Sequence, residues 1–175
     1  MKRLIKKKIR IGILGGTFDP PHFGHLYISK FSIKKLKLQK LLWIVTKKNP
    51  LKKKPDLSIE IRIKLSKKIT KKEKKIFVQY LDNKTKSKNT FNTLNYIKNK
   101  KPKAKLFFII GADNLKNFHK WKKWKVIPKL AKIVVFPRKN YSYSSIASKY
   151  LNKKDLIYIN SKKINISSSL IRKFW

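Results

Sequence analysis

Six short apolar runs punctuate this chain: Ile9 to Leu14, Leu41 to Val45, Ile76 to Tyr80, Leu106 to Ile110, Ile133 to Phe136 and Leu156 to Ile159. Lysine-rich segments separate them, each long enough for the crossover of roughly a dozen residues or more that two parallel strands require. Runs of this length, bounded by polar segments, read as buried strands. The alternation predicts an α/β fold, a doubly wound, mostly parallel sheet of five to six strands with helices on both faces and right-handed crossovers. At 175 residues, one core and a single domain over 1–175 are expected.

The first crossover helix is expected from Phe23 to about Leu38, with Tyr27, Phe31 and Leu38 on one face. The second is ambiguous in period. "LSIEIRIKL" alternates like a strand, but Leu57, Ile61, Leu65 and Ile69 recur every fourth residue, and a parallel link from Val45 to Ile76 needs a helix. A third helix is expected over Thr90 to Asn99, a fourth over Trp121 to Leu130 with a break near Pro128, and a last one opening at the serines 167 to 169.

The composition narrows the function classes. A hydrophobic share of 41% with 12% aromatics is that of a folded chain. The formal net charge of +41, from 48 Lys plus Arg against seven acids, would attract nucleic acid, anionic lipid or phosphorylated metabolites. The basic residues are spread almost evenly, which reads as a composition-wide bias from AT-rich coding rather than the stripe of a nucleic-acid module. With no cysteine, disulfides and thiolate zinc sites are excluded, which fits a reducing cytosol. The basic opening "MKRLIKKK" is followed by too short an apolar run for a signal peptide, and no run approaches a membrane span. A cytoplasmic protein without a membrane partner is expected.

The stretch "GILGGTFDPPHFGHL" holds four of the five glycines and two of the three histidines. A strand ending in Gly15 and Gly16 and leading into a helix brings bare backbone to the carboxyl edge of a parallel sheet, where phosphates bind. Pro20 and Pro21 stiffen the route into that helix, and His22 and His25, three apart, share its first turn. Imidazoles there can donate to phosphate oxygens and stabilise charge moving onto a leaving pyrophosphate. Taken alone, each histidine reads equally as a surface or core residue. The pattern is neither the dinucleotide G-x-G-x-x-G nor a Walker loop.

"GGTFDPPHFGHL" resembles the signature of the nucleotidyltransferase superfamily that includes the adenylyltransferases, and "ISSSLIR" near the chain end resembles its phosphate-binding Ile-Ser-Ser-x-x-Ile-Arg helix start. "FIIGADNLKNFHKWKKWKVIP" is most similar to bacterial nicotinate-nucleotide adenylyltransferases, and the resemblance spans nearly the whole chain. It implies a Rossmann-like fold and transfer of AMP from ATP to nicotinate mononucleotide, giving deamido-NAD and pyrophosphate by direct in-line attack. It also implies His22, His25 and Arg172 as catalytic residues. ATP would lie against Gly15, Gly16, Thr17, Phe18, Gly24, Gly111, Asp113, Ser167, Ser168 and Ser169. Nicotinate mononucleotide would meet Thr90, Trp121, Asn49 and Lys52, with Trp121 on the pyridine ring. Mg²⁺ would be held mainly by the ATP phosphates, since only Asp19 and Asp113 sit in motif segments.

Other readings stay open. Ser167 to Ser169 with Arg172 also suit an ordinary capped helix, Thr90 an N-cap, and Trp121 with Trp124 plain packing. Arg62 lies where relatives carry a helix arginine of structural character. The chain stops at Trp175, so the last helix is expected to be short. The rival functions are another adenylyltransferase, such as the phosphopantetheine enzyme, and a basic nucleic-acid-binding module.

Overall fold

In the computed structural model, which describes residues 8–49, 51, 53–85, 89–161 and 168–173, β1 (Arg10–Gly16), α1 (Phe23–Lys35), β2 (Lys40–Val45), α2 (Ile59–Thr70) and β3 (Ile76–Gln79) alternate along the first part of the chain. There follow α3 (Asp82–Thr85), α4 (Thr90–Lys100), β4 (Lys105–Gly111), α5 (Ala112–Lys116), α6 (Ile127–Leu130), β5 (Lys132–Phe136), α7 (Ile146–Tyr150), β6 (Leu156–Tyr158) and α8 (Ser168–Arg172). All six strands are parallel, in the order β3-β2-β1-β4-β5-β6. The chain winds outward from β1 to β3, then returns to the other side of β1 and winds out to β6. The carboxyl ends of β1 and β4 are thus the switch point, where the crossovers leave for opposite faces and open a crevice.

Successive side chains of each strand serve the two faces in turn. Phe108 and Ile110 pack with Leu94 and Ile97 of α4, Leu115 of α5 and Ile127 of α6. Phe107 and Ile109 pack with Trp43, Val134 and the half-buried Leu26, Ile28, Ile59 and Ile63 of α1 and α2. Gly12 has a steric reason to lie mid-strand. A β-carbon there would come within 2.6 Å of Leu38 Cδ1 and 3.2 Å of Leu41 Cγ, so the turn between α1 and β2 closes onto bare backbone.

The structure moves several expected boundaries. α1 ends at Lys35 rather than Leu38, and its buried positions are the small Gly24, Ser29 and Ser32, while Tyr27 is 39% exposed. α2 is a helix despite its alternating isoleucines, capped by Ser58, whose hydroxyl accepts from the Ile61 N–H at 3.3 Å. Its buried line is Arg62, Ser66 and Thr70 rather than the line through Ile61, which is exposed. The helix expected over Trp121 to Leu130 is present only as α6. Pro128 lies in the first turn, where its missing N–H costs nothing, so it starts that helix instead of breaking a longer one. Lys123 ahead of it takes a φ of 52°, incompatible with a continuous helix.

Candidate active site

The crevice at the switch point widens into a cavity of about 1180 Å³, and residues from both halves of the sheet line it. At its floor the "GG" strand tip is open. Beyond its chain neighbours, a β-carbon on Gly15 would meet no atom of the described residues nearer than 3.8 Å, and one on Gly16 none nearer than 3.6 Å. Neither glycine has a positive φ. Neither the backbone conformation nor the described neighbours require glycine there, and the bare strand tip faces the cavity.

The backward bend after the strand falls on Phe18, with a φ of 49°, and its ring is buried between Trp43 and His25. Phe18 and Trp43 stack at 4.8 Å and 17°, and the His25 ring lies 4.8 Å from Phe18. Trp43 Nε1 donates to Ser29 Oγ at 2.7 Å, and Ser29 Oγ donates to the His25 carbonyl at 2.7 Å. This packing fixes the first turn of α1 beneath the histidine pair.

His22 is the residue before that turn and is 6% exposed. Its backbone N–H donates to His25 Nδ1 at 3.2 Å, which places the proton of a neutral His25 on Nε2. Neither ring nitrogen of His22 has a hydrogen-bond partner among the described residues. Burial, and then the Arg138 charge, lower the His22 pKa from 6.5 to about 4, so the ring is neutral at neutral pH. Both histidines line the cavity.

Two buried charged groups hold the surrounding loops. Arg62, 2% exposed, donates to four backbone carbonyls: Leu57 at 3.0 Å, Thr17 at 2.6 Å, Thr46 at 2.7 Å and Lys47 at 3.1 Å. It thereby ties the loop after β1 to the loop after β2. Asp19 accepts from the Asp56 and Leu57 N–H groups, each at 2.9 Å, so its carboxylate is engaged with backbone. The far end of the chain closes on the same loop. Ser168 Oγ donates to the Pro20 carbonyl at 2.9 Å, and Arg172 reaches the Asp19 carbonyl and, at 3.3 Å, its carboxylate.

Of the residues singled out in the sequence, Gly15, Gly16, Thr17, Phe18, His22 and His25 line the cavity from one side. Ser168, Ser169, Arg172, Asn49, Thr90, Asp113 and Trp121 line it as well. Gly24 and Gly111 lie instead on an adjoining recess of about 80 Å³, shared with His22, His25 and Asp113. Lys52 and Ser167 lie outside the described residues. Thr90 is the first residue of α4, and the cap is Asn89, whose side chain accepts from the Asn92 N–H at 2.9 Å. Asn49 accepts from the Leu51 N–H at 2.9 Å, which shapes its loop. Trp121 is half-buried against Phe118 and Phe108, at 5.1 and 6.0 Å between ring centroids.

Arg138 was not read from the sequence. It lines both the cavity and the recess, and its Nε lies 3.6 Å from Asp113 Oδ1. The available signal was its place just beyond the carboxyl end of β5, at the edge where ligands of such sheets bind.

Residues 13–174 match the family model described as cytidylyltransferase-like. A Pelagibacter ubique (strain HTCC1062) protein named "Probable nicotinate-nucleotide adenylyltransferase" is 48% identical over 173 residues, 97% of this chain and 96% of its own. One of the same name from Agrobacterium fabrum is 37% identical over 147 residues, 79% of this chain and 74% of its own. The chain belongs to the cytidylyltransferase-like family, among the nicotinate-nucleotide adenylyltransferases. The fold of this family member also superposes on Plasmodium falciparum nicotinic acid mononucleotide adenylyltransferase complexed with NaAD. That match has a TM-score of 0.79 at 21% identity, over 95% of this chain and 83% of the other. Among the described residues, no helix is long and apolar enough to cross a membrane.

Proposed function

We propose that the chain, acting as a single nucleotidyltransferase domain in the cytoplasm, transfers AMP from ATP to nicotinate mononucleotide, yielding deamido-NAD and pyrophosphate. The observation that carries this reading is the meeting, around one cavity, of the His22 and His25 pair beyond the β1 tip with Ser168, Ser169 and Arg172 of α8.

An oxygen of the acceptor's 5′-phosphate forms a bond to the α-phosphorus of ATP. The bond from that phosphorus to the bridging oxygen of the β-phosphate breaks, and pyrophosphate leaves with the electron pair. An already ionised phosphate needs no general base, so the protein aligns two polyanions and stabilises the charge that moves to the leaving group. The imidazole N–H groups and the Arg172 guanidinium are donors suited to that charge. Trp121 supplies a flat apolar surface for the pyridine ring, and Thr90 and Asn49 supply polar groups around the acceptor.

The divalent ion, Mg²⁺, enters as part of the ATP substrate. Among the described residues no group of three or more His, Cys, Asp or Glu side chains is placed to hold a metal, and the Asp19 carboxylate is taken by backbone N–H groups. Such a site fits an ion carried by phosphates and water better than one caged by protein.

Pyrophosphate release from ATP, measured with nicotinate mononucleotide, nicotinamide mononucleotide or phosphopantetheine as acceptor, tests the proposal. Turnover should be highest with nicotinate mononucleotide, and release with phosphopantetheine alone would overturn it.

A further inference from the structure

Arg172 stands on a helix of five residues, yet its side chain is held at Nε and Nη1. Its Nε forms an ion pair with Asp56 Oδ2 at 2.7 Å, and its Nη1 donates to the carbonyl and the carboxylate of Asp19. Among the described residues, its Nη2 meets only Ser169 Oγ, at 3.5 Å, the outer limit of a hydrogen bond. A guanidinium has five N–H donors in a rigid plane, so fixing the Nε and Nη1 edge fixes where the Nη2 edge points. Asp56 is itself anchored, because its backbone N–H donates to Asp19 Oδ2 at 2.9 Å. Two of the chain's seven acids therefore converge on one of its 48 basic side chains. Asp56 does not line the cavity, whereas Arg172 does.

We infer that Asp56 is a positioning residue: with Asp19 it clamps the Arg172 guanidinium from behind and leaves the Nη2 donors directed at the triphosphate. This rests on the reading that ATP occupies the cavity. The clamp acts on a donor for phosphate and touches nothing on the acceptor side, so its loss weakens ATP selectively. Ion pairs as exposed as this one, where the Asp56 side chain is 63% exposed, are individually weak, which limits the expected effect to about fivefold.

The test uses the full chain with Asp56→Ala and Asp56→Asn. Binding of a non-cleavable ATP analogue is measured by equilibrium titration, alongside KM for each substrate and Tm. Asp56→Ala should bind the analogue about fivefold more weakly, raise KM for ATP by a similar factor and leave KM for the acceptor unchanged. Asp56→Asn keeps an oxygen for Nε and should fall between. The difference should shrink at high salt. Binding within twofold of wild type, or tighter binding, overturns the clamp, as does an equal rise in both KM values with a lowered Tm, which marks a merely structural role. A wild-type chain that binds the analogue but releases no pyrophosphate with nicotinate mononucleotide overturns the proposed acceptor and leaves the clamp readable. One that binds no analogue overturns both.

Discussion

The rings of His22 and His25 lie 3.8 Å apart, centroid to centroid, inclined at 33°. Two imidazolium charges at that distance would repel strongly, so the geometry disfavours both rings being protonated at once. Replacing either by Ala should lower kcat by about two to three orders of magnitude, the range for a lost transition-state donor. Steady-state pyrophosphate release at saturating substrates measures it, and unchanged turnover in either variant would remove that histidine from the reaction.

The low pKa of His22 makes stability depend on acidity in a defined direction. Its folded value of about 4 lies below the ordinary 6.5, so between these values the unfolded chain binds the proton and the folded chain does not. Stability rises with pH across that window, is fully present above 6.5 and is lost as pH falls through about 4. The loss should be on the order of 3 kcal/mol. Urea melts at several pH values in this range should show a shallower slope for His22→Gln than for the wild type, and identical slopes would contradict the assignment.

Arg62 is buried and donates to four carbonyl oxygens. Arg62→Met leaves these acceptors without their donors and should cost about 3 to 5 kcal/mol. For a chain of this length that corresponds to a Tm drop on the order of 10 °C. A calorimetric Tm within a degree or two of wild type would show that the two loops do not depend on this side chain.

Trp121 lines the cavity and Trp124 does not. Trp124 instead meets Phe118 and Tyr150 edge-on, at 6.5 and 5.9 Å. Trp121→Ala should raise KM for the mononucleotide by about tenfold or more with little change in KM for ATP, as expected for a lost stacking surface. Trp124→Ala should lower Tm and leave both KM values near wild type. A swap of these two phenotypes would reassign the pyridine surface.

The parallel sheet was legible because strand cores such as "LWIV" and "FFII" are apolar on both faces, a pattern few other environments produce. The site loop was legible because glycine and histidine are rare enough in this chain to stand out. Trp121 and Trp124 misled because a spacing of three matches a helix, whereas the left-handed backbone at Lys123 leaves no trace in residue type. Arg138 and Asp56 stayed hidden for opposite reasons. One more cation carries no signal among 48, and an exposed aspartate gains its meaning only when a side chain far along the sequence folds back onto it.

Ser168 and Pro20, joined by one hydrogen bond, are separated by 148 positions along the polypeptide. Closing that distance requires every intervening strand to have docked in register, since no local segment can bring the two groups together. A nucleotide bridging the junction would therefore borrow its binding from the cooperativity of the entire molecule. It should slow amide hydrogen exchange across the sheet interior, far from any atom it touches, as well as in the loops around it.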